Sequence, residues 1–118
     1  MAGRAVGRLK RRAEFLRVAA TRRKWVADGL ILQAAAAEPG LDGMPRIGFT
    51  VTKKLGNAVV RNRARRRLKA AAERVMPEHA APDHDYVLIG RQSTQDRPFP
   101  ALIGDLELAL RRLKLWQA

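Results

Sequence analysis

The chain has 118 residues, and the 47% that are hydrophobic are enough to pack one small domain spanning residues 1–118. Lys and Arg number 24 against 11 Asp and Glu, and the net charge of +13 predicts a polyanionic partner, with nucleic acid as the first candidate. No apolar run approaches the roughly 20 residues of a membrane-spanning helix, and there is no cysteine to exploit an oxidising compartment, so a cytoplasmic protein without a membrane partner is expected.

The positive charge is concentrated in two segments. Nine basic residues lie within 4–24, and nine more lie within 53–74. Each segment holds a single acid, Glu14 or Glu73, so both are nearly unopposed positive fields. Solubility is normally achieved with mixed signs, so these arginine-rich blocks favour phosphate binding over a merely solvated face. The basic N-terminal segment, residues 1–10, has a composition that also permits flexibility.

The N-terminal third predicts one helix followed by strand-like sequence. Residues 11–19 place Phe15 among basic residues and predict a short amphipathic helix. Residues 24–36 predict a strand from their large apolar side chains, although the alanine run at their end suits a helix equally. Residues 38–45 concentrate Pro, Gly and Asp and predict a turn that closes a hairpin.

The middle of the chain predicts a strand and a long helix. Residues 46–52 alternate apolar and polar side chains, as a half-buried strand does. Asn57 is expected to cap a helix over 58–75, and the prolines from Pro77 onward are expected to end it. Helical spacing defines one buried stripe on this helix, made of Val60, Ala64, Leu68, Ala71, Ala72 and Val75.

The C-terminal third predicts a central strand and a last helix. Residues 85–91 are nearly continuously apolar, which suits a strand covered on both faces. A final amphipathic helix is predicted to begin near Pro98 or Pro100. The order of helix, strands, helix, strand and helix predicts an α+β sandwich with helices against a sheet.

The exposed side of the 58–75 helix is nearly all basic. Arg61, Arg65 and Lys69 follow one another at four-residue spacing, and such like-charged neighbours each cost a few tenths of a kcal/mol. A sequence that accepts this cost repeatedly indicates an anion that neutralises it. DNA-reading helix-turn-helix motifs place two helices close together, whereas strands flank this helix, so RNA gripped by backbone and shape is favoured.

The stretch RIGFTVTKKLGNAVVRNR, residues 46–63, followed by Arg65, Arg66 and Lys69, resembles the signature of the protein subunit of bacterial ribonuclease P. About ten polar and glycine positions match at fixed spacing, and the resemblance extends roughly over residues 8–115. It implies a two-layer α+β sandwich of three helices and about four strands, a fold of the ribosomal-protein type. It also implies a left-handed βαβ crossover through the arginine-rich helix.

The same resemblance implies a function. In ribonuclease P the large RNA subunit performs the chemistry, so no catalytic residue is expected on the protein. The protein binds the catalytic RNA and the 5′ leader of precursor tRNA, and it assists the endonucleolytic removal of that leader. Mg²⁺ is expected to be held mainly by the RNA subunit and the substrate, with one protein for each RNA.

The resemblance assigns two groups of residues to RNA. The basic RNA-binding surface is assigned to Lys53, Lys54, Arg61, Asn62, Arg63, Arg65, Arg66 and Lys69. A cleft for the leader, between the first helix and the sheet, is assigned to Phe15, Arg17, Thr50 and Thr52. From the residues alone, Phe15 is equally a core anchor, and the two threonines are equally ordinary strand residues.

Four positions depart from the family pattern. Ala64 and Arg67 stand where aliphatic or apolar side chains are common, and Ala19 and Gln33 stand where aromatic side chains are common. The smaller Ala64 predicts closer packing of helix against sheet. The loss of two aromatic side chains lowers the base stacking expected in the cleft, which is worth about 1 to 3 kcal/mol per base.

Two other functions stay open at this point. A structural RNA-binding protein of the ribosomal type has a related sandwich. A stand-alone nuclease would need a metal or acid-base site, for which the only candidates are His79, Asp83, His84 and Asp85. These four residues lack a strong metal-ligand spacing, and they lie in and beside a proline-bounded loop.

Overall fold

The computed structural model describes residues 5–118 of the chain. These residues form three α-helices and five strands: β1 (Gly7–Arg8), α1 (Arg12–Ala20), β2 (Lys24–Val26), β3 (Leu30–Ala36), β4 (Arg46–Thr50), α2 (Ala58–His79), β5 (His84–Gly90) and α3 (Phe99–Arg112). The predicted α+β class is confirmed, with five strands rather than four. The additional strand, β1, falls in the N-terminal segment 1–10, of which residues 1–4 lie outside the described residues.

The strands form one mixed sheet in the order β1-β4-β5-β3-β2. β4 and β5 run parallel, and the long helix α2 connects them. This is the crossover through the arginine-rich helix that the resemblance implies, and its left hand stays a prediction. β5 lies at the centre, as its apolar run predicts, and most of its side chains are buried.

The prediction that residues 38–45 close a hairpin is wrong. This loop joins β3 to β4, but β5 lies between those two strands and pairs antiparallel with β3. The most apolar strand takes the position that is covered on both faces, so the loop must cross over it. A hairpin does form one connection earlier, where residues 27–29 join the antiparallel strands β2 and β3.

The alanine run at the end of β3 is strand and not helix. Residues 33–36 continue the pairing of β3 with β5 in register. Ala34 and Ala35 project to opposite faces of the sheet, and their exposed fractions are 0% and 2%. Pairing and burial on both faces outweigh the helix propensity of alanine, which is only a weak preference.

Helices cover both faces of the sheet. α2 and α3 pack on one face, where the main core includes Leu32, Leu68, Leu88 and Leu106, all fully buried. α1 lies on the other face over a smaller apolar cluster, which is formed by Leu9, Phe15, Val18, Ala35, Val87 and Ile89. The second face is therefore only partly filled, which leaves room for a cleft beside α1.

Helix α2 begins as the sequence predicts and ends later. The Oδ1 atom of Asn57 accepts a hydrogen bond from the Val60 N–H at 3.0 Å, and the buried stripe is confirmed, with Val60 itself half-buried. The predicted end at residue 75 is wrong, because α2 includes Pro77 and continues to His79, where it ends before Pro82. Proline removes one helical hydrogen bond. The last turn is held from outside, where the Gln117 N–H donates to the His79 carbonyl at 2.7 Å.

Arg67 fixes α2 to the loop that precedes α3. Its Nε donates to the Thr94 carbonyl at 2.9 Å, and its Nη2 donates to the Arg97 carbonyl. The Thr94 hydroxyl donates in turn to the Gly29 carbonyl at 2.6 Å. The unusual arginine at this position therefore serves a structural contact. Ala64, nearly one turn earlier, is fully buried in the main core, as its small side chain predicts.

Gly29 lies where the turn between β2 and β3 meets α3. Its N–H donates to Asp105 Oδ2 at 2.9 Å, and Arg97 binds the same carboxylate through Nε at 2.5 Å and Nη2 at 3.0 Å. A Cβ on Gly29 would lie 2.6 Å from that carboxylate oxygen and 2.8 Å from Leu102 Cδ1. The close approach therefore requires a glycine.

Gly29→Ala is expected to lower the free energy of unfolding by about 1 to 3 kcal/mol, because its neighbours are fixed by an ion pair and cannot move aside. Gly104→Ala in α3 is the matched control, since a Cβ there meets nothing within 4 Å. The control is expected to stabilise the protein by about 0.5 to 1 kcal/mol. Urea unfolding followed by circular dichroism measures both, and equal effects would contradict the close approach.

Candidate nucleic-acid interface

All eight residues predicted for the basic surface lie on α2 or on the 3-10 turn Lys53–Leu55 just before it. Five are exposed, namely Lys53, Lys54, Asn62, Arg63 and Arg66, and three are half-buried, namely Arg61, Arg65 and Lys69. The structure thus brings these residues together along one helix. No acid interrupts positions 58–72, so the positive field is continuous over this part of α2.

Neighbouring groups hold several side chains of the basic surface in place. Arg65 Nη1 donates to Asn62 Oδ1 at 3.4 Å, and Arg63 Nε donates to the Gln95 carbonyl at 3.3 Å. Asn62 therefore orients an arginine while its own amide stays exposed. Arg61 Nε is buried without a hydrogen-bond partner, and leaving such a donor unpaired costs free energy.

A cleft of about 500 Å³ lies between α1 and the sheet. The residues that line it come from α1, from the segment just before α1 and from the sheet. They are Lys10, Arg12, Phe15, Leu16, Ala19, Gln33, Thr50, Val87 and Ile89. The lining contains two basic residues and no acid, which suits an anionic strand. Of the four residues predicted for the leader cleft, the structure places Phe15 and Thr50 there.

Phe15 serves both as a core residue and as cleft lining. It is half-buried, and its ring lies so close to β4 that a Cβ on Gly48 would be 2.5 Å from two ring atoms. Among the described residues of the lining, Phe15 is the single aromatic side chain. Ala19 and Gln33 line the same cleft, so these two departures from the family pattern both fall in its lining.

Arg17 and Thr52 do not line the cleft. Arg17 lies on α1 but turns toward the sheet, where it forms an ion pair with Asp85 and donates to the Ala36 carbonyl at 2.9 Å. Thr52 is exposed at the start of the 3-10 turn, outside the cleft lining. Arg12 and Ala19 lie three residues before and four residues after Phe15, so helical spacing from Phe15 identifies these two lining residues.

A network of charges centred on Asp85 fixes α1 over the sheet. Asp85 is fully buried on β5, and Arg46 of β4 donates to it through Nε at 2.9 Å and Nη2 at 2.8 Å. Arg17 reaches the same carboxylate from α1. Arg46 Nη1 also donates to Glu14 Oε2 at 2.7 Å, which ties the start of α1 to β4. The sequence feature that could have indicated this network is a single acidic residue, Asp85, at the start of a strand that is otherwise apolar.

The network shifts two ionisation equilibria. Glu14 Oε1 accepts hydrogen bonds from the Arg11 and Lys10 N–H groups, each at 2.9 Å, and these bonds, with Arg46 nearby, lower the pKa of Glu14 to about 2. Hydrogen bonding to Asp85 raises the pKa of Arg46 above its ordinary value. Both groups are therefore charged at neutral pH, and the start of α1 depends on that charge.

The residues considered for a nuclease site have other contacts. Both oxygens of Asp85 are bound by arginine, and His84 Nδ1 lies 2.8 Å from the Pro82 carbonyl. His79 stacks on Trp116 with ring centroids 4.0 Å apart. Within residues 5–118, no group of three or more His, Asp and Glu side chains is arranged to hold a metal ion. In the same range, no helix combines the length and apolar character needed to cross a membrane.

The fold and this surface define a class of protein, a small α+β domain with a basic helix on one face of its sheet and a cleft on the other. The chain belongs to the Ribonuclease P family, whose family model matches residues 4–114. The resemblance inferred from the motif is thereby confirmed.

Relatives of known name agree with this membership. The ribonuclease P protein component of Paramagnetospirillum magneticum is 59% identical over 109 residues, which cover 90% of this chain and 81% of that protein. That of Gluconacetobacter diazotrophicus is 56% identical over 106 residues, which cover 89% of each chain. The RNase P protein of Staphylococcus aureus has a similar structure, with a TM-score of 0.77 and 26% identity over 96% of this chain and 100% of that one.

Glu14→Gln is expected to remove a pH-dependent contribution to stability. Because folding lowers the pKa of Glu14 from 4.5 to about 2, its ionised form stabilises the fold above pH 4.5, and this contribution is lost as the pH falls toward 2. The difference in unfolding free energy between wild type and variant should therefore narrow across that interval. Urea unfolding at a series of pH values measures it.

Glu107→Gln on α3, outside the Asp85 network, controls for the general loss of one negative charge. If the difference in unfolding free energy between wild type and Glu14→Gln stayed constant from pH 6 to pH 2.5, the ionised Glu14 carboxylate would not stabilise the fold as described.

Proposed function

We propose that this chain, as the protein component of ribonuclease P, binds the ribonuclease P RNA through the basic surface and the 5′ leader of precursor tRNA in the cleft beside α1. The observation that carries the proposal is that one small domain holds both sites, the basic helix α2 on one face of the sheet and the cleft beside α1 on the other. A cleft with basic residues at its rim and an aromatic side chain in its wall suits a single strand. The continuous positive field of α2 suits the backbone of a folded RNA.

In this proposal the RNA subunit performs the hydrolysis, and the protein supplies affinity. Asp85, the most buried acid near the cleft, is held by two arginines and has no oxygen free to act as a base. Mg²⁺ is held mainly by the RNA and the substrate. The protein contributes by neutralising phosphates, which lowers the concentration of Mg²⁺ that the complex needs. One protein for each RNA and a cytoplasmic location, where precursor tRNA is made, complete the proposal.

The cleft explains how the protein distinguishes substrate from product. Mature tRNA lacks the leader, so a contact made only with the leader favours the precursor. The Phe15 ring stacks on one leader base, and Lys10 and Arg12 attract the phosphates beside it. Since Ala19 and Gln33 replace further aromatic residues, the preference for precursor rests mainly on Phe15.

Arg66→Ala is expected to weaken binding of the ribonuclease P RNA and to reduce the slope of log affinity against log salt by about 0.7 to 0.9. Arg66 is exposed on α2 and makes no hydrogen bond or ion pair among residues 5–118, so its loss leaves the fold intact. Filter binding at several salt concentrations measures both quantities. Arg112→Ala on α3 is the matched control and should leave them unchanged. An unaltered slope and affinity for Arg66→Ala would count against the basic surface.

Phe15→Leu is expected to reduce the preference for precursor over mature tRNA by about fivefold or more, because one stacked base is lost. Leucine keeps an apolar anchor over Gly48, so α1 stays in place. Competition binding of the two tRNAs to the reconstituted complex measures the ratio. Phe99→Leu at the start of α3 makes the same chemical change away from the cleft and should not alter it. A preserved ratio in Phe15→Leu would refute leader stacking.

A further inference from the structure

A second, smaller cavity lies on the opposite face of the sheet. Its volume is about 210 Å³, and it is lined by Val6, Gly7, Arg8, Ile47, Phe49, Lys69, Ala72, Glu73 and Pro77. On β4, Ile47 and Phe49 point to this cavity, whereas Gly48 and Thr50 face the cleft. The volume is below the roughly 300 to 1,000 Å³ of sites for larger ligands, so it suits a single planar base.

The walls of this cavity are apolar, and its charged groups are unpaired. Phe49 is half-buried, so part of its ring faces the cavity. Lys69 and Glu73 are one helical turn apart, yet neither takes part in an ion pair or side-chain hydrogen bond among residues 5–118. The cavity therefore offers an aromatic surface, one free carboxylate and the cations of Lys69 and Arg8.

The cavity continues the basic surface along α2. Positions 62, 66, 69, 73 and 77 follow one another at spacings of three and four residues, so they form one row on the helix. The first three belong to the basic surface, and the last three line the cavity. An RNA backbone that follows the basic surface toward the end of α2 consequently arrives at the mouth of the cavity.

We propose that the cavity binds an unpaired guanine base of the ribonuclease P RNA. The apolar walls and the Phe49 ring hold the flat base, and Lys69 and Arg8 bind the adjacent phosphate. The Glu73 carboxylate accepts hydrogen bonds from the base edge. Guanine is the base whose Watson–Crick edge presents two adjacent donors, N1–H and the N2 amine, which match the two oxygens of a carboxylate. This inference rests on the proposed function and adds a sequence-specific contact to it.

Glu73→Gln tests the proposal, because the affinity for RNA should rise if Glu73 is a bystander and fall if Glu73 binds guanine. If Glu73 is a bystander, removing a negative charge beside the basic surface strengthens the binding of a polyanion. If Glu73 binds guanine, the amide loses one acceptor, and affinity for the ribonuclease P RNA falls by about fivefold or more. Glu73 is exposed, so the substitution leaves the fold intact. Glu78→Gln, an exposed acid on α2 outside the cavity, is the matched control and should not weaken binding.

The same titrations include Arg66→Ala, which separates the two proposals. If Arg66→Ala binds the RNA more weakly but Glu73→Gln binds it equally or more tightly, the guanine site is overturned and the proposed function is not. No effect of Arg66→Ala overturns the proposed function. Weakening by Glu73→Gln but not by Glu78→Gln supports the guanine site.

Nucleoside monophosphates test the base preference without the RNA. Addition of GMP to the wild-type protein should shift the amide NMR signals of Gly7, Phe49 and Ala72 more than AMP, CMP or UMP does. The preference should disappear in Glu73→Gln. Equal shifts with all four nucleotides would overturn the assignment of guanine. A GMP-specific shift combined with unchanged RNA affinity of Glu73→Gln would identify a free-nucleotide site and overturn the RNA contact.

Discussion

The carboxylate of Asp85, buried between two guanidinium groups, is the constraint on which the cleft beside α1 depends. A buried charge is tolerated only when it is paired and hydrogen-bonded, and here Arg46 and Arg17 meet that need from β4 and from α1. Because α1 covers only a small apolar cluster, packing alone does not fix the direction of the helix, and the ion pairs with Asp85 do. The helix is held over one part of the sheet, and the uncovered part becomes the cleft.

The arginines of α2 divide into structural and exposed members. Arg67 donates to two carbonyls of the loop before α3, and Arg63 donates more weakly to the same loop. Arg66 is exposed and makes no hydrogen bond or ion pair among residues 5–118, so its guanidinium group remains available to a polyanion. A run of arginine thus serves two purposes on one helix, because the guanidinium group can satisfy backbone carbonyls at a helix contact as well as it binds phosphate.

Hydrophobic periodicity was sufficient to predict the three helices, the strands β4 and β5 and the buried stripe of α2. The pairing order was not predictable from local pattern, because the position of β5 between β3 and β4 depends on contacts distant in sequence. The residues assigned to the basic surface do lie together, since they are local to α2 and to the turn before it, and their binding of RNA stays a prediction. The cleft was predicted in part. The direction of Arg17 depends on Asp85, 68 residues away, and no local pattern encodes such a contact.

Strand β4 contributes to the two proposed RNA sites through alternate residues. Gly48 and Thr50 belong to the cleft side, and Ile47 and Phe49 to the cavity side. A register shift of one residue would exchange all four side chains between the faces and abolish both sites together. A change of length in the loop 38–45 would leave this register in place, whereas one inside β4 would not. Because the two proposed sites share one strand, a change of its register would alter both of them.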